Sequence, residues 1–180
     1  MEEFVRKNPW LGLESYKEGE ILYGRDDDIR DLSQCVLNDI DTLLYGKSGI
    51  GKTHLLHAIG NYLLKTNPNK RVYYVSSAEF LDEYVNAIRS SQIDEFKESF
   101  KQNDILLIDD IQFLASREKV GEYFFSIFNL FINSNKQIIM TSDRPPLELK
   151  GLEDRLVSRF ASGLSVAITS PEYERPFDVL

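Results

Sequence analysis

Apolar residues along this chain follow two different periods, and the alternation between them sets the expected fold. At 43–45, 105–108 and 137–140 they run almost unbroken, as Leu43-Leu44-Tyr45, Ile105-Leu106-Leu107-Ile108 and Gln137-Ile138-Ile139-Met140. Such runs mark strands buried on both faces. The β-branched and aromatic stretch 71–75, after the Asn67-Pro68-Asn69 turn, predicts another strand, and 164–168 a last one. Between them apolar positions recur three and four apart. That spacing predicts helices over 26–38 (Ile29, Leu32, Val36, Leu37, with acids in the first turn), 54–66, 94–101, 118–133 and 152–160. A further helix opens at a Ser76 or Ser77 cap and carries Phe80, Leu81, Tyr84, Val85 and Ile88. The stripe Tyr123, Phe124, Phe128 and Phe131 reads as core. Strands alternating with helices predict an α/β fold with a parallel sheet covered on both faces. Residues 1–20 have no period and contain Pro9, Gly12 and Gly19, so they predict an irregular arm pinned by Trp10 and Leu13, with 21–180 as a single domain.

Composition narrows the function classes. The chain has 180 residues, 42% hydrophobic, enough for one domain with a proper core. No apolar stretch approaches the ~20 residues that cross a bilayer. The acidic start Met1-Glu2-Glu3 is unlike a secretory signal, so a cytoplasmic location is expected. The formal net charge of −8 argues against sequence-specific binding of duplex DNA, which is held mainly by Lys and Arg. Cys35 has no second cysteine to pair with and reads as packing, as do His54 and His57, which lack a third ligand at metal spacing.

The candidate chemistry lies where strands end. Gly46-Lys47-Ser48-Gly49-Ile50-Gly51-Lys52-Thr53 joins a predicted strand to a predicted helix that continues through His54. Three glycines let backbone N–H groups turn inward around a polyphosphate, and the helix adds its positive dipole end. Lys52 would reach the β- and γ-phosphates of a nucleotide, and the Thr53 hydroxyl would ligate Mg²⁺. In a parallel sheet, ligands gather at the carboxyl ends of strands. Asp109-Asp110 follows a second strand there and Ser142-Asp143 a third. Asp109 would hold Mg²⁺ through water, and Asp110 could polarise the attacking water. Asp143 could sense the γ-phosphate or orient the water, the bland alternative being a turn before Pro145-Pro146. Arg155 and Arg159 fall one turn apart on a helix face, either as a solvated face or as an arginine finger reaching a neighbouring subunit's nucleotide.

From Gly51 to about Ser170 the chain resembles the AAA+ ATPase domain of the DnaA family of bacterial replication initiators. The motifs are Gly51-Lys52-Thr53-His54-Leu55-Leu56-His57-Ala58-Ile59-Gly60-Asn61, Val75-Ser76-Ser77-Ala78-Glu79-Phe80, Ile108-Asp109-Asp110-Ile111-Gln112-Phe113-Leu114, Thr141-Ser142-Asp143-Arg144-Pro145-Pro146 and Leu152-Glu153-Asp154-Arg155-Leu156-Val157-Ser158-Arg159-Phe160. The resemblance implies five parallel strands in the order 5-1-4-3-2, ATP or ADP with Mg²⁺ as cofactors, Asp143 as sensor 1, and Arg159 as the finger used in self-association. It also implies that residues 80–100 form the initiator's helical insertion, whose contact with single-stranded DNA includes the place of Val85. Three departures accompany it. Asn8-Pro9-Trp10-Leu11-Gly12-Leu13, the segment around Tyr23-Gly24-Arg25, and the front of the loop resemble STAND-type signalling ATPases instead, whose Gly-Arg turn packs near the adenine. The initiator's lid, carrying sensor 2, and its duplex-reading domain have no counterpart before Leu180. The expectation is therefore a weak ATPase, with a nucleotide-gated assembly or single-stranded-DNA module as the alternative. Two families meeting at the loop also imply a chimeric, recombined scaffold.

Overall fold

A computed structural model describes residues 32, 41–116 and 118–169. The elements, in chain order, are β1 (Asp41–Tyr45), α1 (Lys52–Thr66), β2 (Val72–Ser76), α2 (Ser77–Arg89), α3 (Ile93–Lys101), β3 (Ile105–Asp109), a 3-10 turn (Ile111–Ser116), α4 (Glu118–Asn133), β4 (Gln137–Ser142), a 3-10 turn (Pro146–Glu148), α5 (Asp154–Ser162) and β5 (Leu164–Ala167). All strand pairs are parallel, in the order β2-β3-β4-β1-β5. This is the expected 5-1-4-3-2 order, read from the other edge.

The unbroken apolar runs are explained by the two layers they separate. Successive residues of a strand point to opposite faces, so a strand covered on both sides needs apolar residues at every position. Leu43, Leu106, Ile108, Ile138 and Met140 enter one core with Phe80, Phe100, Phe124, Phe128, Phe131 and Phe160. Leu44, Ile105, Leu107 and Ile139 enter the other with Leu55, Leu56, Ile59 and Leu63 of α1, and Leu32 packs there too. The aromatic stripe of α4 is thus core. Phe80 centres it, meeting Phe96, Phe100 and Phe124 at ring-centroid distances of 5.7, 5.9 and 5.8 Å, in tilted or edge-on geometries that aromatic quadrupoles favour.

Local signals set most boundaries. Ser76 is the cap of α2: its hydroxyl accepts from the Glu79 N–H at 3.2 Å, and the Glu79 carboxylate accepts from the Ser76 N–H at 2.9 Å. The last helix starts two residues later than the periodicity predicts. Gly151 there has φ +91, and a Cβ on it would sit 2.5 Å from the Ala115 carbonyl oxygen, so 149–152 forms a turn before helix can begin. Strand β4 runs two residues past its apolar stretch, because Thr141 and Ser142 are fully buried at its carboxyl end. Among the described residues no helix is long and apolar enough to cross a membrane. The predicted arm at 1–20, most of the 26–38 helix, Cys35, and Tyr23-Gly24-Arg25 lie outside the described residues.

Candidate functional site

The sheet order puts β1, β4 and β3 side by side, so the 46–53 loop, the 142–143 turn and Asp109-Asp110 emerge at one edge. Three sequence segments far apart in the chain therefore form one site. Gly46 opens the loop, its N–H donating to the Ser142 carbonyl at 3.1 Å. A Cβ at Gly46 would lie 2.5 Å from the Ile168 carbonyl oxygen, so only glycine lets the loop leave the sheet here. Gly46→Ala is expected to cost about 1–3 kcal/mol from this overlap, seen as a lowered Tm. Gly49 (φ +82) and Gly51 (φ +89) take the left-handed turn that other residues rarely adopt. Gly51 caps α1 with no side-chain hydrogen bond, and the first turn of α1 has no acid, so the helix brings its own positive end uncompensated.

Lys52 is 6% exposed, and its Nζ donates to the carbonyls of Gly46 (2.7 Å) and Lys47 (3.1 Å). The ammonium is thus held within the turn of the loop. Lys47, Ser48, Gly49 and His54 are exposed, and Ile50 packs partly against the second core. His57 is buried and meets the Tyr74 ring edge-on at 4.6 Å; burial lowers its pKa, only partly opposed by Asp109, so it packs as a neutral ring.

Asp109, 6% exposed, is the convergence point. Thr53 Oγ1 donates to its Oδ2 at 2.7 Å, the Tyr74 hydroxyl approaches the same oxygen at 3.4 Å, and Thr141 Oγ1 donates to Oδ1. Its backbone carbonyl accepts from Ser77 Oγ at 2.9 Å. Burial first, and then the Asp109 charge, push the Tyr74 phenol well above its ordinary pKa and keep it a donor. The donor set suits a hard cation. Among the described residues no group of three or more His, Cys, Asp or Glu could hold a metal. One carboxylate and one hydroxyl beside a phosphate loop match Mg²⁺, which takes one or two protein oxygens and the rest from phosphates and water.

Asp110 follows in the left-handed region at φ +58. Its N–H donates to Thr141 Oγ1 at 2.8 Å, and its Oδ1 accepts from Gln112 Nε2 at 3.0 Å. Asp143 is paired two-pronged with Arg144, at 2.8 Å from Nε and 2.7 Å from the terminal nitrogen. Those hydrogen bonds hold its carboxyl below the usual carboxylate range. Because the folded pKa is the lower one, the pair stabilises the fold above the ordinary aspartate range, and the contribution is lost as pH falls through the lowered value. Arg144→Ala is expected to return Asp143 upward, measured by following its carboxyl carbon in an NMR pH titration.

Arg159 lies exposed on α5 and, among the described residues, its side chain has no hydrogen-bond or ion-pair partner. Arg155, one turn before it, stands 5.7 Å over the Phe125 ring. The structure therefore brings together Lys52, Thr53, Asp109, Asp110 and Asp143, and leaves Arg159 facing solvent. Thr141, Gln112, Tyr74 and Ser77 join the site with no spacing in the sequence to announce a role for them. A hydroxyl closing an apolar strand next to two acids is the available signal for Thr141.

A family model described as the bacterial DnaA ATPase domain matches residues 29–167. The match starts ahead of the loop, so the likeness extends further toward the N-terminus than Gly51, where the motifs place its start, and its range includes 46–53. The chromosomal replication initiator DnaA of Lactococcus lactis subsp. cremoris (strain MG1363) is 49% identical over 137 residues, covering 76% of this chain and 30% of the relative. The chain thus spans about a third of the length of the curated relatives it matches. Domain III of the Thermotoga maritima DnaA superimposes with TM-score 0.76 at 37% identity, covering 84% of this chain and 65% of that one. A replication initiator DnaA bound to AMPPCP and single-stranded DNA gives 0.72 at 38% identity, covering 92% and 51%. With its sheet order, its loop and its strand-end acids all in agreement with that match, this chain belongs to the bacterial DnaA ATPase-domain family.

Proposed function

We propose that this domain, residues 21–180 with an arm at 1–20, binds ATP or ADP with Mg²⁺ and hydrolyses ATP slowly. The observation that carries the reading is the 2.7 Å hydrogen bond between Thr53 Oγ1 and the buried Asp109 carboxylate, directly behind the glycine loop that holds Lys52. It joins a phosphate-binding end and a cation-binding end in one site. Backbone N–H groups of 46–53, the start of α1 and the Lys52 ammonium bind the polyphosphate. Thr53 and Asp109 hold Mg²⁺, which when bound neutralises charge on the β- and γ-phosphates. Asp110 accepts a hydrogen bond from the attacking water and orients it, and Asp143 monitors the γ-phosphate end. Tyr23, Gly24 and Arg25 are proposed as the base contacts, with adenine favoured because a relative in the family is bound to AMPPCP.

Slow turnover follows from the placement of Arg159. It is exposed and uncoupled from the loop in its own chain, so we assign it to the nucleotide of a neighbouring copy. The reaction then waits for self-association. Asp109→Ala is expected to lower turnover at least about 100-fold by removing the Mg²⁺ ligand, with ATP binding in EDTA unchanged. Equal turnover in the variant would remove Asp109 from the site.

A second reading is a nucleotide-gated module that assembles or contacts single-stranded DNA without useful turnover. Its support is the DNA-bound relative, together with α2, where Ile88 is 52% exposed and Val85 half-buried. Nucleotide-dependent assembly without phosphate release would select it. We place the domain in the cytoplasm, acting on nucleotide and, weakly, on single-stranded DNA, with no sequence-specific duplex contact and no membrane contact. The STAND-like start and a recombined origin with little activity rest on the sequence motifs at 8–13, 22–29 and 43–49. A single genomic reading frame spanning 1–180 would refute recombination.

A further inference from the structure

We propose that Gln112 is a positioning residue that ties the water-orienting acid Asp110 to the sensor turn at Asp143 through one side-chain amide. The proposal rests on the ATP-hydrolysing reading of Asp110 and Asp143. Gln112 Nε2 donates to Asp110 Oδ1 at 3.0 Å, while its Oε1 accepts from the Asp143 backbone N–H at 3.2 Å. The neighbours fix which way the amide points. An ionised carboxylate can only accept and a backbone N–H can only donate, so the flipped amide would lose both bonds.

The carboxylate that Gln112 holds is an unusual one. Asp110 sits at φ +58, a conformation few side chains other than Asn and Asp adopt, and it persists because both sides of the residue are tied down. On one side its N–H is held by Thr141; on the other its carbonyl accepts from the Phe113 N–H at 3.1 Å, closing the turn that carries Gln112. That turn is anchored by Ile111 and Leu114, both fully buried. Gln112 therefore projects from a rigid base. The bond to Oδ1 fixes the plane of the carboxylate, and with it the direction in which the carboxylate can accept from a water.

The other end of the amide meets an element with a reason to move. Asp143 is on an exposed-side turn, and its carboxylate is engaged by Arg144, which is itself exposed. A γ-phosphate arriving beside this turn repels the Asp143 carboxylate, and the resulting shift of the turn displaces the same N–H from which Gln112 accepts. The amide then conveys the presence of the γ-phosphate to Asp110, one covalent plane linking sensor and acid. No periodicity marks this role, because Gln112 sits in a 3-10 turn where neither the helical nor the strand repeat applies.

The test compares wild type, Gln112→Leu and Gln112→Glu in steady-state ATP hydrolysis, with ADP binding and Tm measured alongside. Gln112→Leu keeps the side-chain bulk and is expected to lower kcat about ten-fold through lost orientation, with KM and ADP affinity within two-fold of wild type. Gln112→Glu keeps an acceptor for the Asp143 N–H but removes the donor to Asp110, and is expected to lower kcat by as much, again with KM and ADP affinity within two-fold. A purely structural role would lower Tm or raise KM along with any loss of kcat. Unchanged kcat in either variant, or a loss of kcat matched by a rise in KM, overturns the proposal while leaving the ATPase reading intact. A wild type that binds Mg-ATP without turnover overturns the ATPase reading and this inference with it.

Discussion

Lys52→Ala will remove nucleotide binding while leaving the fold in place. In the structure the ammonium already sits inside the loop, on the carbonyls of Gly46 and Lys47 at 2.7 and 3.1 Å, and it is 6% exposed. It is thus held near where phosphate oxygens are expected, so little ordering entropy opposes its engagement. Hydrogen bonds between charged partners contribute about 1.5–3 kcal/mol each. Two of them, to the β- and γ-phosphates, correspond to a loss of at least about 100-fold in affinity. The fold should survive, because α1 is fixed by Leu55, Leu56, Ile59 and Leu63 in the second core rather than by Lys52. Isothermal titration with ATP, alongside circular dichroism, separates the two effects. Unchanged affinity in a folded variant would refute the loop assignment.

Arg159→Ala should produce the largest change in rate, visible only when protein concentration is varied. An arginine delivered from another subunit contributes about 10³–10⁵ in kcat in phosphoryl transfer. Arg159 is exposed, and among the described residues its side chain is unengaged, as a group reserved for a partner must be. Wild-type turnover per molecule is expected to rise steeply with concentration, and the variant's to stay flat, with the same ATP affinity in dilute protein. Turnover that is independent of concentration and unaffected by the substitution would return Arg155 and Arg159 to a solvated face. Arg155 already has such a role, stacked over Phe125.

Much of the fold is legible in the sequence because burial on both faces leaves a simple record. Leu43 and Leu44 face opposite cores, as do Ile138 and Ile139, so β1 and β4 read as continuous apolar runs. Strand order is not legible in this way. Nothing local says that β4 lies between β1 and β3; only the family resemblance carries it, and the structure has that order. Helix starts are readable where a side chain acts on its own backbone, as at Ser76 and Glu79. Periodicity misplaces the start at 152, where the decisive contact is between Gly151 and Ala115, far apart in the chain. The same division holds at the site. Lys52, Thr53 and Asp109 belong to spacings that sequence displays, whereas Thr141, Tyr74 and Gln112 act through hydrogen bonds across strands and turns. Such bonds leave no period. Tyr74 in particular reads as one more aromatic strand residue until its hydroxyl is seen beside the Asp109 carboxylate.

The loop and the buried carboxylate must form one Mg²⁺-dependent nucleotide site if the proposed chemistry is to occur at all. Titration of the wild-type chain with ATP and with GTP, each in Mg²⁺ and in EDTA, tests that directly. The expected result is saturable ATP binding at one site per chain, tighter in Mg²⁺ than in EDTA, and tighter than GTP. Absence of binding to either nucleotide, or ATP binding indifferent to Mg²⁺, would contradict it.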